Sequence, residues 1–529
     1  MEVVKKFFFS GITFTVVLVL LLPILFIVRF SFDINYEEIN YFINSKLIEY
    51  VMNTLKIALF TSLFSIILGV VPAYIISIYN VRYSRVWDLL MILPLSIPCY
   101  IMSFIYADFF GFQGLFFNFL SSIQINLMFD VLKIEFLSLF FAFSLFPYLY
   151  VTSRISFNLI GNNYIELSNT LGLTRFEILK KVILPLSFSG IYSGLLLVIM
   201  EVFNEYGAVH YFGIETFSNG IFKYWFSLDN KNISLLLSLI LIIIILFFLY
   251  LNVIASKVSK NLSKTKLILI GSVRKKSIKS YHYVFLFFPV FLGFFFPFIL
   301  VLKGAITSFQ NYNFVEIIQL TINTIFLGTL SSFLIVFTSF FILKSNLFNK
   351  SSFTNFFSIL LTSGYAIPGA IIGLSIMLGI ESLGIGTGFL IGSISVLVYS
   401  YLFRFISVSF FSLKSSFDRQ PITLDEQAKI LKMNYIQRIL KLHIPLSKFA
   451  LIYAAILIFV DVAKELPLTL ILRPFNFETL ATQTYQYANE EMLSHSSIYS
   501  LTLIAICAIL LIIAQNILNK HELLRNKKN

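Results

Sequence analysis

The chain has 529 residues, 58% hydrophobic and 12% charged, with a mean hydropathy of +0.89 and a formal net charge of +13. So little charge on so long a chain excludes a soluble globular protein, which could not cover its surface with polar groups. Two distant cysteines, Cys99 and Cys507, form no CxxC pair, which argues against a disulfide framework or a zinc site.

Apolar windows of about 20 residues, the length that crosses a bilayer, predict twelve helices. Six fall near 7–28, 52–78, 87–110, 136–159, 186–208 and 233–255. Six more fall near 284–303, 319–343, 353–379, 388–411, 446–466 and 497–518. The first span follows Lys5 and Lys6 and has no small-residue cleavage site, so it reads as a retained helix. Pro94 and Pro98, and then Pro368 and Gly369, are expected to interrupt spans 3 and 9.

Loop charge sets the expected orientation. Arg82, Arg85, Arg175, Lys180 and Lys181 lie in loops on one side, as do Lys414, Lys429, Lys432, Arg438 and Lys441. The stretch 256–283 carries eight Lys or Arg and no acid. Alternate loops hold Asp33, Glu37 and Glu38, then Glu215 and Asp229, then Glu478, Glu490 and Glu491. By the positive-inside rule both termini and the basic loops face the cytoplasm. Topogenic charge and anionic lipid account for 256–283 without a nucleic-acid partner.

Residues 166–185 read ELSNTLGLTRFEILKKVILP, and residues 426–445 read EQAKILKMNYIQRILKLHIP, at an offset of 260. Each opens on a Glu and closes on a Pro as an apolar span begins. Asn53-Thr54 and Asn323-Thr324 open spans 2 and 8 at an offset of 270, which also separates Pro98 from Pro368. Six spans per half start each half on the same side, so the repeats are parallel. The expected organisation is a first half 1–255, a basic linker 256–283 and a second half 284–529. A polar segment repeated once per half points to a channel former driven by two copies of a soluble partner.

The first repeated segment resembles the cytoplasmic EAA loop of bacterial ABC importer permeases: Glu166, Gly172, Leu184 and Pro185 stand at that pattern's places. In the second copy Glu426, Ala428 and Pro445 fit, but Lys432 replaces the Gly, leaving Asn434 as the candidate for its positive φ. Downstream, EVFNEYGAVHYFGIETFSNGIFKYWF and DVAKELPLTLILRPFNFETLA look like the fused two-half permeases of the ferric-iron importer family. The resemblance implies an all-α integral membrane protein of about twelve helices in two parallel six-helix repeats, the MetI-like fold. It implies two copies of a cytoplasmic ABC ATPase as partners, an extracytoplasmic substrate-binding protein, and a place in the bacterial cytoplasmic (inner) membrane. The chain itself is expected to be no enzyme and to bind no cofactor, with ATP and Mg held by the ATPase; it contains no GxxxxGK[ST] loop. Ferric iron is the expected cargo, with thiamine or another small solute the alternative and a secondary transporter the alternative class.

Within the first loop, Arg175, Phe176 and Glu177 follow the Gly and would enter a partner's groove; in the second, Tyr435 takes a similar place. Pro185 and Pro445 are expected at the start of new helices, where no N–H donor is needed. Glu201 and Glu205 stand at i and i+4, as do Asp461 and Glu465 with Lys464 beside them, which predicts one shared helix face per pair. Counted from Pro185, Glu201 lies about 24 Å and Glu205 about 30 Å along the helix. Acids there that face a wet pathway avoid the cost of facing lipid, and carboxylates suit a hard trivalent cation. Glu201 and Asp461 are therefore expected to contact a permeating cation transiently, with no fixed metal site. Glu205 and Glu465 are expected at the outer gate or binding-protein seat. The alternative is that the acids cap helix ends or pair with Lys464 and Lys223.

Overall fold

A computed structural model describes residues 15–30, 36–112, 114–125, 130–262, 276–348, 364–382, 384, 390–417, 423–431 and 433–526. The principal helices in chain order are α1 (Leu22–Phe30), α2 (Leu47–Ile78), α3 (Cys99–Phe110), α4 (Ile134–Thr170) and α5 (Leu184–Asn204). Two short helices follow, α6 (Gly207–Tyr211) and α7 (Phe217–Phe222), then α8 (Lys231–Leu262) and α9 (Phe296–Thr307). Next come α10 (Phe314–Phe348), α11 (Gly369–Ser382), α12 (Ile394–Phe417), α13 (Thr423–Ile430) and α14 (Ile444–Lys464). The last are α15 (Pro467–Leu472), α16 (Leu480–Asn489) and α17 (Leu493–Asn526). Strand pairing among the described residues is one two-residue parallel contact of Tyr79–Asn80 with Lys276–Ser277.

Ten helices among the described residues are long and apolar enough to span a bilayer, and Gly369–Ser382 is a shorter apolar one. These meet eleven of the twelve expected spans. The expected first span lies partly outside the described residues, as does the leading part of span 9. Span 3 differs from the expectation of 87–110, because α3 starts only at Cys99. Pro94 sits in a short 3₁₀ turn, Leu93–Ser96, and Pro98 is the N-cap of α3. Neither proline can donate an N–H, and each disfavours helical geometry in the residue before it, so the apolar run cannot stay one helix. Span 9 repeats the break, with a 3₁₀ turn at Gly364–Ala366 ahead of α11.

The chain forms two compact units interleaved in sequence. One comprises Ile34–Tyr312 with Thr484–Leu501, the other Met1–Asp33, Asn313–Gln483 and Thr502–Asn529. In the first unit α2, α4 and α5 pack against one another, with α8 on α5 and α3 on α4. In the second, α10, α12 and α14 form the matching trio, and α1 packs on α11. The duplicated sequence thus builds the same three-helix core twice.

Candidate functional site

The two repeated segments share two backbone-donated bonds in register, Leu173 and Met433 at the helix end and Thr174 and Asn434 at the next helix start. After α4 ends at Thr170, Leu173 N–H reaches back to the Ser168 carbonyl at 3.1 Å; after α13, Met433 N–H does the same to Ala428 at 3.1 Å. This six-residue bond satisfies a carbonyl that the helix end leaves open. Gly172 takes the left-handed φ of +75° that such a turn needs. Thr174 N–H then donates to Glu177 Oε2 at 2.9 Å, and Glu177 N–H donates to Thr174 Oγ1 at 3.4 Å, a reciprocal cap for the next helix. Lys181 adds a 2.9 Å bond to Glu177 one turn on. In the second loop Asn434 N–H donates to Gln437 Oε1 at 3.0 Å.

That bond corrects the reading of Asn434. Asn434 is not among the described residues with positive φ. It stands in register with Thr174, at the N-cap, where its side-chain type is favoured for a different reason. Lys432 lies outside the described residues. Glu166 is on the last turns of α4, Arg175 opens the helical turn Arg175–Ile178, and Tyr435 opens its counterpart Tyr435–Arg438. Phe176 is 72% exposed, and Leu171 and its counterpart Leu431 are 72% and 74% exposed. Glu426 is exposed, whereas Ala428 is buried, as is Ser168 at the same place in the first copy.

Pro185 and Pro445 do not begin separate helices. Helical backbone runs on from Arg175 into α5 through a π-turn, Leu179–Ile183, and from Tyr435 into α14 through another, Ile439–His443. In each, the residue before the proline donates to a carbonyl five residues back. A proline within a helix loses its own bond and crowds the carbonyl four residues back. The wider turn takes up that conflict without ending the helix.

At the far ends of α5 and α14, Glu205 and Glu465 are C-caps with helical φ, −71° and −68°, and extended ψ, 121° in both, so each helix ends at the second acid of its pair. Glu205 Oε1 accepts from Ala208 N–H at 3.1 Å, and Glu465 Oε1 accepts from Leu468 N–H at 3.2 Å. Each carboxylate therefore binds open N–H groups at the start of the next short helix, α6 or α15. The helix-capping alternative describes these two acids. Glu465 also accepts from Arg404 Nη1 of α12 at 3.0 Å. Gly369 at the start of α11 makes room, since a Cβ there would stand 2.3 Å from Arg404 Nη1 and 2.6 Å from Glu465 Oε1. At the position 260 residues before Arg404 stands Ser144, which donates to the Ile97 carbonyl at 2.6 Å.

Glu201 and Asp461 are half-buried. Asp461 lies 3.8 Å from Lys464, and Lys223 pairs with Glu215. Among the described residues no group of three or more His, Cys, Asp or Glu is arranged to hold a metal ion.

The paired Asn-Thr dipeptides hold the loops beyond. Asn53 Nδ2 donates to the Glu215 carbonyl at 3.1 Å, and Thr54 Oγ1 accepts from Phe217 N–H at 3.2 Å. Asn323 Nδ2 donates to the Glu478 carbonyl at 2.9 Å, and Thr324 Oγ1 accepts from Leu480 N–H at 3.0 Å. Each clamped acid is also ion-paired, Glu215 with Lys223 and Glu478 with Arg473.

Residues 65–264 match the family model described as binding-protein-dependent transport system inner membrane component. The sulfate transport system permease protein CysT of Salmonella typhimurium is 29% identical over 156 residues, 30% of this chain and 55% of that protein. The chain thus spans about half the length of that relative. The Fe(3+)-transport system permease protein FbpB 2 of Haemophilus influenzae is 21% identical over 497 residues, 92% of this chain and 93% of that protein. The probable transport system permease protein NifC of Clostridium pasteurianum is 24% identical over 201 residues, 38% of this chain and 68% of that protein. No solved structure matches the chain significantly. Over residues 65–264 the chain is thus similar to the family of binding-protein-dependent transport system inner membrane components.

Proposed function

We propose that this chain is the membrane-spanning permease subunit of an ATP-driven importer in the bacterial cytoplasmic membrane. It receives cargo from an extracytoplasmic binding protein and is driven by two copies of a cytoplasmic ATPase docked on residues 166–185 and 426–445. Both termini lie on the ATPase side, and ATP with Mg belongs to that partner. The observation that carries this reading is the repeated loop: the same helix end, capped turn and π-turn recur 260 residues apart. Exposed Leu171, Phe176 and Leu431 supply apolar anchors for a partner's groove.

Ferric iron is the leading cargo, supported by the likeness to an Fe(3+) permease over 92% of the chain. Sulfate is the second reading, supported by the higher identity of the sulfate permeases over a shorter stretch. Glu201 and Asp461 are the proposed contacts for a permeating cation, while Glu205 and Glu465 act as caps behind the pathway. The test replaces both Glu166 and Gly172, or both Glu426 and Pro445, in the assembled transporter. Uptake is expected to fail while ATP hydrolysis and membrane abundance persist. Wild-type uptake in these variants would refute docking through the loops. Radiolabelled iron against radiolabelled sulfate decides the cargo, and Glu201→Gln with Asp461→Asn should depress uptake of iron alone.

A further inference from the structure

The transport reading leaves one cavity unused, within the unit formed by Ile34–Tyr312 and Thr484–Leu501. It measures about 320 Å³ and lies between the ends of α3 and α9 and the start of α17. Its charged lining is Asp108, Lys303 and Glu491, and Ser494, Ser497 and Ser500 add hydroxyls. Among the described residues no ion pair joins Lys303 to either acid. Charges of both signs around one space, held apart rather than neutralising each other, fit a ligand that is itself a zwitterion.

Three further observations narrow the ligand. Glu491 has a φ of +61° at the turn after α16, where Met492 N–H bonds to the Tyr487 carbonyl at 2.8 Å. A glycine would make that turn at lower cost, yet the position carries a carboxylate facing the cavity, the kind of local strain that collects at binding sites. Second, the wall includes Leu493 and Ser494, the first residues of α17, whose open N–H groups and positive dipole end favour a phosphate. Third, Ile299, Leu302 and Ile306 are exposed on the same helix, α9, that carries Lys303, an apolar stripe suited to acyl chains.

We propose that this cavity binds the headgroup of a phospholipid bearing a primary ammonium, with the chemistry of phosphatidylethanolamine. The phosphate sits against Lys303, the serine hydroxyls and the α17 terminus, and the ammonium sits between Asp108 and Glu491. The test is native mass spectrometry of the purified full-length chain exchanged against equal amounts of phosphatidylethanolamine, phosphatidylcholine and phosphatidylglycerol. Phosphatidylethanolamine should be retained about tenfold over the other two, because trimethylation or loss of the amine removes charge-assisted hydrogen bonds. Asp108→Asn with Glu491→Gln should abolish the preference, and Lys303→Gln, at an exposed position, should lower retention of all three. Glu491→Gly provides the control for folding: it should raise thermal stability by relieving the turn and still lose the preference. Equal retention of the three lipids, or an unchanged preference in these acid variants, would overturn the proposal. Displacement by soluble glycerophosphoethanolamine, with no preference among the diacyl lipids, would overturn the lipid source and assign a soluble zwitterion.

Discussion

Arg404 Nη1 lies 3.0 Å from Glu465 Oε1, with the two side chains only 3% and 5% exposed. Removing one partner leaves the other as an uncompensated buried charge, at a cost of about 3–5 kcal/mol. Arg404→Leu should therefore lower the thermal midpoint of the purified protein strongly. Glu465→Gln should cost less, because an amide oxygen can still accept from Leu468 N–H. Gly369→Ala should destabilise as well, since its methyl group would intrude on both charged atoms. An Arg404→Leu protein that melts like wild type would show that this pair contributes nothing to folding.

The first repeated loop separates backbone strain from crowding. A Cβ at Gly172 would meet nothing within 4 Å, so Gly172→Ala carries only the penalty of positive φ, about 1–2 kcal/mol. Thr174→Ala removes the N-cap that Glu177 N–H donates to, at about 1 kcal/mol. Either change alone should leave global melting nearly unchanged while speeding proteolysis near residue 172. Combined, they should reduce ATP-coupled uptake. Unaltered proteolysis in the double variant would mean that the loop conformation does not depend on these residues.

Glu215 gives the clamp a pH dependence. Burial pushes its carboxyl up, but hydrogen bonds from Lys223 and Tyr50 and the Lys223 charge outweigh this and hold it below the usual carboxylate range. A depressed acid adds stability above its unfolded pKa, about 4.3 for Glu, and loses it as pH falls through the lower folded value. Thermal stability of the wild type should fall on acidification from about pH 5, and Glu215→Gln should flatten that part of the profile. Parallel profiles for the two proteins would show that Glu215 does not supply the dependence.

Topology can be read by single-cysteine labelling, because Cys99 and Cys507 are both buried and should give little background. Lys180→Cys and Lys441→Cys, at exposed positions in the repeated segments, should react only from the cytoplasm. Ser227→Cys and Asn489→Cys, also exposed, should react only from outside. Labelling of Lys180→Cys and Lys441→Cys from opposite sides would refute parallel repeats.

The repeated loops are legible because they are polar islands in an apolar chain and occur twice. Gly172 even announced its backbone angle. Asn434 was misread because a side chain that tolerates positive φ is also a good N-cap, and only the 260-residue register with Thr174 separates the two. The pairing of Arg404 was missed for another reason. A single Arg inside YSYLFRFISVSF is costly in a membrane and demands a partner, but sequence spacing does not connect it to Glu465 or to the space left by Gly369. The i, i+4 spacing of Glu201 and Glu205 carries no sign that α5 ends at Glu205, because a carboxylate that caps the next helix reads in sequence like any other acid on a helix face. Asn53 and Asn323 were visible as repeated residues, but a conserved spacing carries no information about which carbonyl an amide will reach.

The π-turns below Pro185 and Pro445 also set a rotational phase. Each contains one residue more than an α-helical turn, and successive residues in an α-helix are about 100° apart. The face that each loop presents is thereby turned by about that angle relative to the face its span would otherwise carry on. Deleting one residue from 179–183 would return the turn to α-helical pitch and swing the loop around the span axis. A change that leaves every span intact would in this way turn the loop out of phase with its span, as a slipped gear turns out of phase with its shaft.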